Sequence, residues 1–204
     1  MDAPLILASA SPRRRELLQQ VGLEFEVRTS TAEEETTEHP SAPAAYAERL
    51  ARIKAEDVAR GLEDGVVIGA DTVVVLDGDI LNKPADVPAA VRMLRRLQGR
   101  THQVVTGVAV LEVRGGAVVR REVRSVSTEV RMRRASEAEL AAYAATGEPL
   151  DKAGGYAIQG RAAVFIEGIV GDYSNVVGLP LFTLCEILAG FGIQPLPGTD
   201  HQHG

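Results

Sequence analysis

The chain has 204 residues, 22 basic and 28 acidic, with a formal net charge of −6 and 45% hydrophobic content. This describes an ordinary globular protein of one domain, or of one domain with two lobes, and the acidic balance weighs against a general binder of nucleic acid or membrane surface. A single cysteine, Cys185, excludes an internal disulfide framework and a multi-cysteine zinc site, and 4% aromatic residues without tryptophan leave little for stacking on single-stranded nucleic acid.

Residues 5–8 read as a short apolar strand, after which Ser11 supplies an N-cap and Pro12 a first helical residue. Leu17, Leu18 and Val21 form the buried stripe of that helix and Gly22 ends it. The first fifteen residues, MDAPLILASASPRRR, lack the charge order of a secretory leader. No apolar run is long enough to span a bilayer, so the cytoplasm is the expected compartment. A strand over 25–28 follows, then a polar, acidic loop over 30–43. Residues 44–60 predict a helix with Tyr46, Leu50, Ile53 and Val58 near one face.

Residues 66–76 are apolar except for Asp71 and Thr72, which predicts a buried strand. A turn over 77–79 and a helix over 88–97 come next. Strands over 103–113 and 117–126 are joined at Gly115-Gly116, a hairpin signal. Ser136 and Glu139 form a capping box. Residues 154–160 make a glycine-rich loop, 164–169 a strand and 180–189 the last helix. Cys185 lies in an apolar run and reads as a small buried hydrophobe. The alternation of elements predicts an α/β fold with a mixed sheet over residues 1–195, and a flexible tail over 196–204.

Four segments carry chemistry. Helix N-termini favour acidic side chains, yet Arg13, Arg14 and Arg15 crowd the first turn after Ser9 and Ser11, which points to a bound anion such as phosphate. A solvated turn paired with Glu33-Glu34-Glu35 is the plainer alternative. Asp71 in an apolar strand needs a partner or a cation, and suits metal ligation or general-base work. Lys83 is presented from a stiff loop before Pro84, and Lys54 flanks the apolar face of its helix. Asp151 and Lys152 precede a glycine-rich stretch in which Gln159 offers a donor and an acceptor to a base edge. Arg131 and Arg133 share a strand face that is either solvated or turned to the cleft. The histidines form no metal cluster, and neither a Walker P-loop nor a Gly-x-Gly-x-x-Gly motif is present. Cationic residues beside a few carboxylates suit a metal-assisted reaction on a polyphosphate.

The segments LILASASPRR (5–14), GADTVV (69–74), LNKP (81–84), GRTHQV (99–104), DKAGGYAIQG (151–160) and NVVGLPL (175–181), in this order, resemble the Maf family of nucleoside triphosphate pyrophosphatases linked to septum formation. The resemblance implies hydrolysis of a nucleoside triphosphate to the monophosphate and pyrophosphate with Mg²⁺ or Mn²⁺. It implies an elongated mixed sheet with flanking helices like that of the inosine triphosphatases, two lobes around a central cleft, and a homodimer. Asp71 matches the proton acceptor or metal partner, Glu35 a further metal ligand, and Lys54 and Lys83 catalytic positions. Ser9, Ser11, Arg14, Asp151 and Lys152 match substrate-binding positions. Arg13, Thr72 and Gln159 match positions tied to base specificity, and the Ile-Gln-Gly form resembles the branch acting on dTTP and UTP. A nucleotide-binding regulator of septum formation with little turnover is the rival reading, and an RNA-directed role for the arginine groups a further one.

Overall fold

The computed structural model describes residues 3–32 and 42–195. A seven-stranded mixed sheet runs in the order β2-β1-β3-β5-β6-β7, with β4 paired to β3. Its strands are β1 (Leu5–Leu7), β2 (Glu26–Val27), β3 (Gly65–Leu76), β4 (Asp79–Leu81), β5 (Thr101–Arg114), β6 (Ala117–Met132) and β7 (Ile166–Val170). The helices are α1 (Pro12–Gln20), α2 (Pro43–Ala59), α3 (Val87–Leu97), α4 (Glu137–Ala144), α5 (Tyr173–Val177) and α6 (Leu181–Gly190). Among the described residues no helix is long and apolar enough to cross a membrane.

The central strand β3 organises the molecule. One of its edges pairs antiparallel with β5 from Gly65 to Val75. Its other edge is shared: β1 pairs in parallel with Val66, Val67 and Ile68, and β4 pairs antiparallel with Val74, Val75 and Leu76. Residues 69–73 are bridged by neither strand on that side. Because side chains alternate along a strand, Asp71 and Thr72 emerge on opposite faces of the sheet inside this gap.

Packing follows the same division. On one face Val67 packs with Ala51, Ala55, Ala59 and Leu62, and further along Val73 and Val75 pack with Tyr46, Leu50 and Ile80. On the other, Ile68 and Ala70 join α1 and α6, while Val74 and Leu76 join α3 and α4. The sheet-facing stripe of α2 is Ala47, Ala51, Ala55 and Ala59, all buried at a spacing of four, whereas the predicted Ile53 and Val58 are only partly buried. Small side chains bring α2 down on Gly69 and Gly107: a Cβ at either would overlap the α2 backbone at Ala51 or Ala47.

Other expectations are corrected. The strand over 164–169 begins instead as a 3-10 turn (Arg161–Phe165) before β7. The strand ending at 126 continues to Met132, because β5 and β7 pair with both of its edges there. Cys185 is half-buried rather than fully enclosed. The capping box forms, with Ser136 Oγ accepting from Glu139 N and Glu139 accepting from Ser136 N. The predicted tail over 196–204 lies outside the described residues.

Candidate active site

A cleft of about 470 Å³ opens at the gap in β3. Eleven of the candidate residues line it: Ser9, Ser11, Arg13, Arg14, Lys54, Asp71, Thr72, Lys83, Asp151, Lys152 and Gln159. Glu35, and the acidic run Glu33-Glu34-Glu35, lie outside the described residues. The cleft thus gathers five cationic side chains, Arg13, Arg14, Lys54, Lys83 and Lys152, around two carboxylates, Asp71 and Asp151. On a chain of net charge −6, this local cationic excess marks the cleft as the place for a polyanion.

Asp71 is 8% exposed. It projects to the α2 face, where Lys54 Nζ donates to its Oδ1 at 2.5 Å. The close seat of α2 over Gly69 and Gly107, the latter Asp71's cross-strand neighbour, puts Lys54 within reach. The ion pair supplies the partner that a carboxylate in an apolar strand requires, and it fixes the orientation of Asp71 in the cleft.

On the opposite face Arg14 is buried. Its Nε donates to Gly178 O at 2.8 Å, Nη1 to Ser9 Oγ at 3.1 Å and Nη2 to Thr72 Oγ1 at 3.1 Å. Thr72 Oγ1 also lies 2.9 Å from Thr106 Oγ1, which donates to Asn175 O at 3.0 Å. Asn175 Nδ2 donates to Val104 O and Thr128 Oγ1. Arg14 therefore ties the start of α1, the gap in β3 and the α5–α6 junction into one floor. The residues crowding the first turn diverge: Arg13 lines the cleft beside Ser11, whereas exposed Arg15 lines a separate hollow with Gln19 and Phe25. Ser11 makes no side-chain capping bond; instead its N–H donates to Ser9 Oγ at 3.2 Å.

The far wall is the 3-10 turns after α4. Lys152 Nζ donates to Glu148 O at 2.9 Å and to Asp151 Oδ1 at 2.5 Å. Burial opposes ionisation of Asp151, but Lys152, and more weakly Arg13, hold its carboxyl below the ordinary range. Gly154, with φ +72°, packs against Val74 of β3 and carries this wall onto the sheet. Exposed Gln159 and Lys83 complete the rim.

Sequence reasoning missed three groups here. Thr106 and Asn175 underlie Thr72; Thr106 gave no signal beyond a hydroxyl in an apolar strand, and Asn175 none beyond its place at the head of the NVVGLPL segment. Thr29, Ser30 and Ala32 form part of the cleft wall; Asp57 of α2 anchors them by accepting from Ser30 Oγ, Thr31 N and Ala32 N. Tyr156 lines the apolar side with Val74 and Val104, and its hydroxyl meets His102 Nε2 at 2.6 Å. Burial depresses His102 to about 4 and pushes the Tyr156 phenol well above its usual range. The structure resolves the question left open for Arg131 and Arg133: neither lines the cleft. Arg131 pairs with Glu167 at 3.0 Å, while Arg133 pairs with Glu139 and stacks on Phe165.

Fold and site together define a mixed α/β protein with a cationic cleft around an ion-paired acid, the class of protein that binds and can cleave a polyphosphate. A family profile described as Maf-like protein matches residues 4–191, and the chain belongs to that family. It is 52% identical over 190 residues to the dTTP/UTP pyrophosphatase of Moorella thermoacetica, covering 93% of this chain and 96% of that protein. It is 51% identical to the dTTP/UTP pyrophosphatase of Pelotomaculum thermopropionicum, covering 94% and 98%. A nucleoside-triphosphatase (dITP/XTP pyrophosphatase) from Mycobacterium abscessus superposes with a TM-score of 0.40 at 13% identity, over 65% of this chain and 75% of that one.

Proposed function

We propose that the chain hydrolyses dTTP and UTP to the monophosphate and pyrophosphate. The observation that carries this reading is the convergence, in one cleft, of Asp71 with Arg13, Lys54, Lys83 and Lys152. Support for the substrates comes from the relatives, which are about half identical over nearly their full length.

In this reading the triphosphate lies along the turn from Ser9 to Arg13, with Lys54, Lys83 and Lys152 around it. These cations offset phosphate charge, and most of it must be offset where the leaving pyrophosphate gathers it. Water attacks the α-phosphorus, the α–β anhydride bond breaks, and Asp71 accepts the proton that the water gives up. Lys54 holds the Asp71 carboxylate in line. Thr72, Arg13 and Gln159 face the nucleoside, with Val74, Val104 and Tyr156 as the apolar wall for its base.

A divalent cation belongs to the same proposal. Mg²⁺ and Mn²⁺ favour hard oxygen donors, and Mg²⁺ is commonly held by one or two carboxylates together with substrate phosphates. Asp71 is a carboxylate of this kind within the cleft, and Glu35 is the second ligand proposed from sequence. The cation would neutralise phosphate charge when bound. A cytoplasmic homodimer is proposed as the working form, on the family resemblance.

The test is pyrophosphate release from dTTP, UTP, CTP and dGTP, each with Mg²⁺, with Mn²⁺ and with EDTA. Metal-dependent release, with dTTP and UTP preferred, is expected. Equal rates on dGTP would remove the pyrimidine assignment, and undiminished release in EDTA would remove the cation.

A further inference from the structure

Gln159 sits in a tight turn in which Gly160 N donates to Ala157 O at 3.0 Å. That turn is held from behind by a single carboxylate. Arg161 N donates to Glu148 Oε2 at 3.1 Å, and Tyr143 Oη donates to Glu148 Oε1 at 2.9 Å. The far end of the turn is thus held by a Tyr143–Glu148 pair rooted in α4 and the 3-10 turn after it.

Gly160 shows how close the bracket lies. Its φ of −97° is open to any residue, so conformation does not call for glycine. Space does: a Cβ at Gly160 would overlap the Glu148 carboxylate. Burial, together with the hydrogen bond and charge of Glu148, raises the Tyr143 phenol well above its ordinary range. The Tyr143 ring is also packed edge-on to Phe165 at 5.6 Å, which fixes the hydroxyl.

We infer that Glu148, with Tyr143 and Gly160, is a positioning element for base discrimination: its carboxylate sets the orientation in which the Gln159 amide meets the pyrimidine edge. The inference rests on the reading of Gln159 as a base contact. A polar side chain discriminates only when its donor and acceptor are held in register with the ligand. Glu148 itself does not line the cleft, so its effect passes through the turn.

The experiment compares Glu148→Ala, Glu148→Gln, Tyr143→Phe and Gly160→Ala with Gln159→Ala, measuring kcat and KM for dTTP, UTP and dGTP. The clamp variants are expected to lose about three- to tenfold of the preference for dTTP and UTP over dGTP, the factor one lost hydrogen bond gives. The loss should fall on KM rather than kcat, and Glu148→Gln, which keeps one acceptor, should retain more preference than Glu148→Ala. Tyr143→Phe removes only a hydroxyl and keeps the test available should Glu148→Ala not fold. Unchanged preference in the clamp variants, with preference lost in Gln159→Ala, would overturn the clamp alone. Unchanged preference in Gln159→Ala would overturn the base-contact reading and the clamp with it.

Discussion

Lys54 and Asp71 stand 2.5 Å apart with side chains 17% and 12% exposed. Taking away one member of a largely buried pair costs more than the pair contributes net, because the other charge is left desolvated. Lys54→Met should therefore destabilise the fold by about 1–3 kcal/mol and lower turnover through a misplaced Asp71; thermal melting and pyrophosphate release would show it. An unchanged melting temperature would mean that water replaces the ammonium. His102 gives a pH prediction. Its pKa falls from 6.5 to about 4 on burial, so below 6.5 the unfolded chain binds a proton that the folded one refuses. Stability is thus full above pH 6.5 and declines as pH drops toward 4, by on the order of 3 kcal/mol over that window. Denaturation midpoints at pH 7 and pH 5 should separate, and His102→Gln should narrow the difference. At this scale Asp71 was legible because a charge in an apolar strand demands an explanation. The supporting hydroxyl of Thr106 was not, since threonine is unremarkable in a strand.

Among the elements, α2 does most to shape the site. Its alanine stripe and the two glycines beneath it set the distance from helix to sheet, and that distance sets the reach of Lys54. Gly69→Ala or Gly107→Ala should force α2 outward, costing about 1–3 kcal/mol and parting Lys54 from Asp71. Gly168→Ala in β7, where a Cβ meets nothing within 4 Å, is the control expected to leave melting and activity intact. If Gly69→Ala and Gly168→Ala behaved alike in melting and kcat, the close seat of α2 would not govern the site. Long periodic or apolar runs were readable: α2, β3, β5 and the capping box of α4 fall within a residue or two of expectation. The three-residue β4, the five-residue α5 and the 3-10 turns around Gln159 were not. Such short pieces carry too few side chains for periodicity and are held by tertiary bonds, such as Asn175 of α5 donating to Val104 O and Arg161 N donating to Glu148.

For the whole molecule, the decisive feature is the shared edge of β3. Two halves of one sheet, each with its own packing on both faces, meet where β1 has ended and β4 has not begun. The interruption lets a single cleft draw an acid and a lysine from one face and a threonine–arginine floor from the other. Motif order along the chain was visible in the sequence. That Asp71 and Thr72 point to opposite faces follows from strand alternation, but that both faces open into one cavity depends on strand register and the end of β1, which no local pattern encodes. The most direct test of the account is Asp71→Asn, assayed for pyrophosphate release from dTTP and, by calorimetry, for dTTP binding. Turnover should fall by about 10²–10⁴-fold, the range expected for loss of a general base, while nucleotide affinity survives because the cationic side chains remain. Wild-type turnover in that variant would contradict the role given to Asp71 and, with it, the chemistry assigned to the cleft.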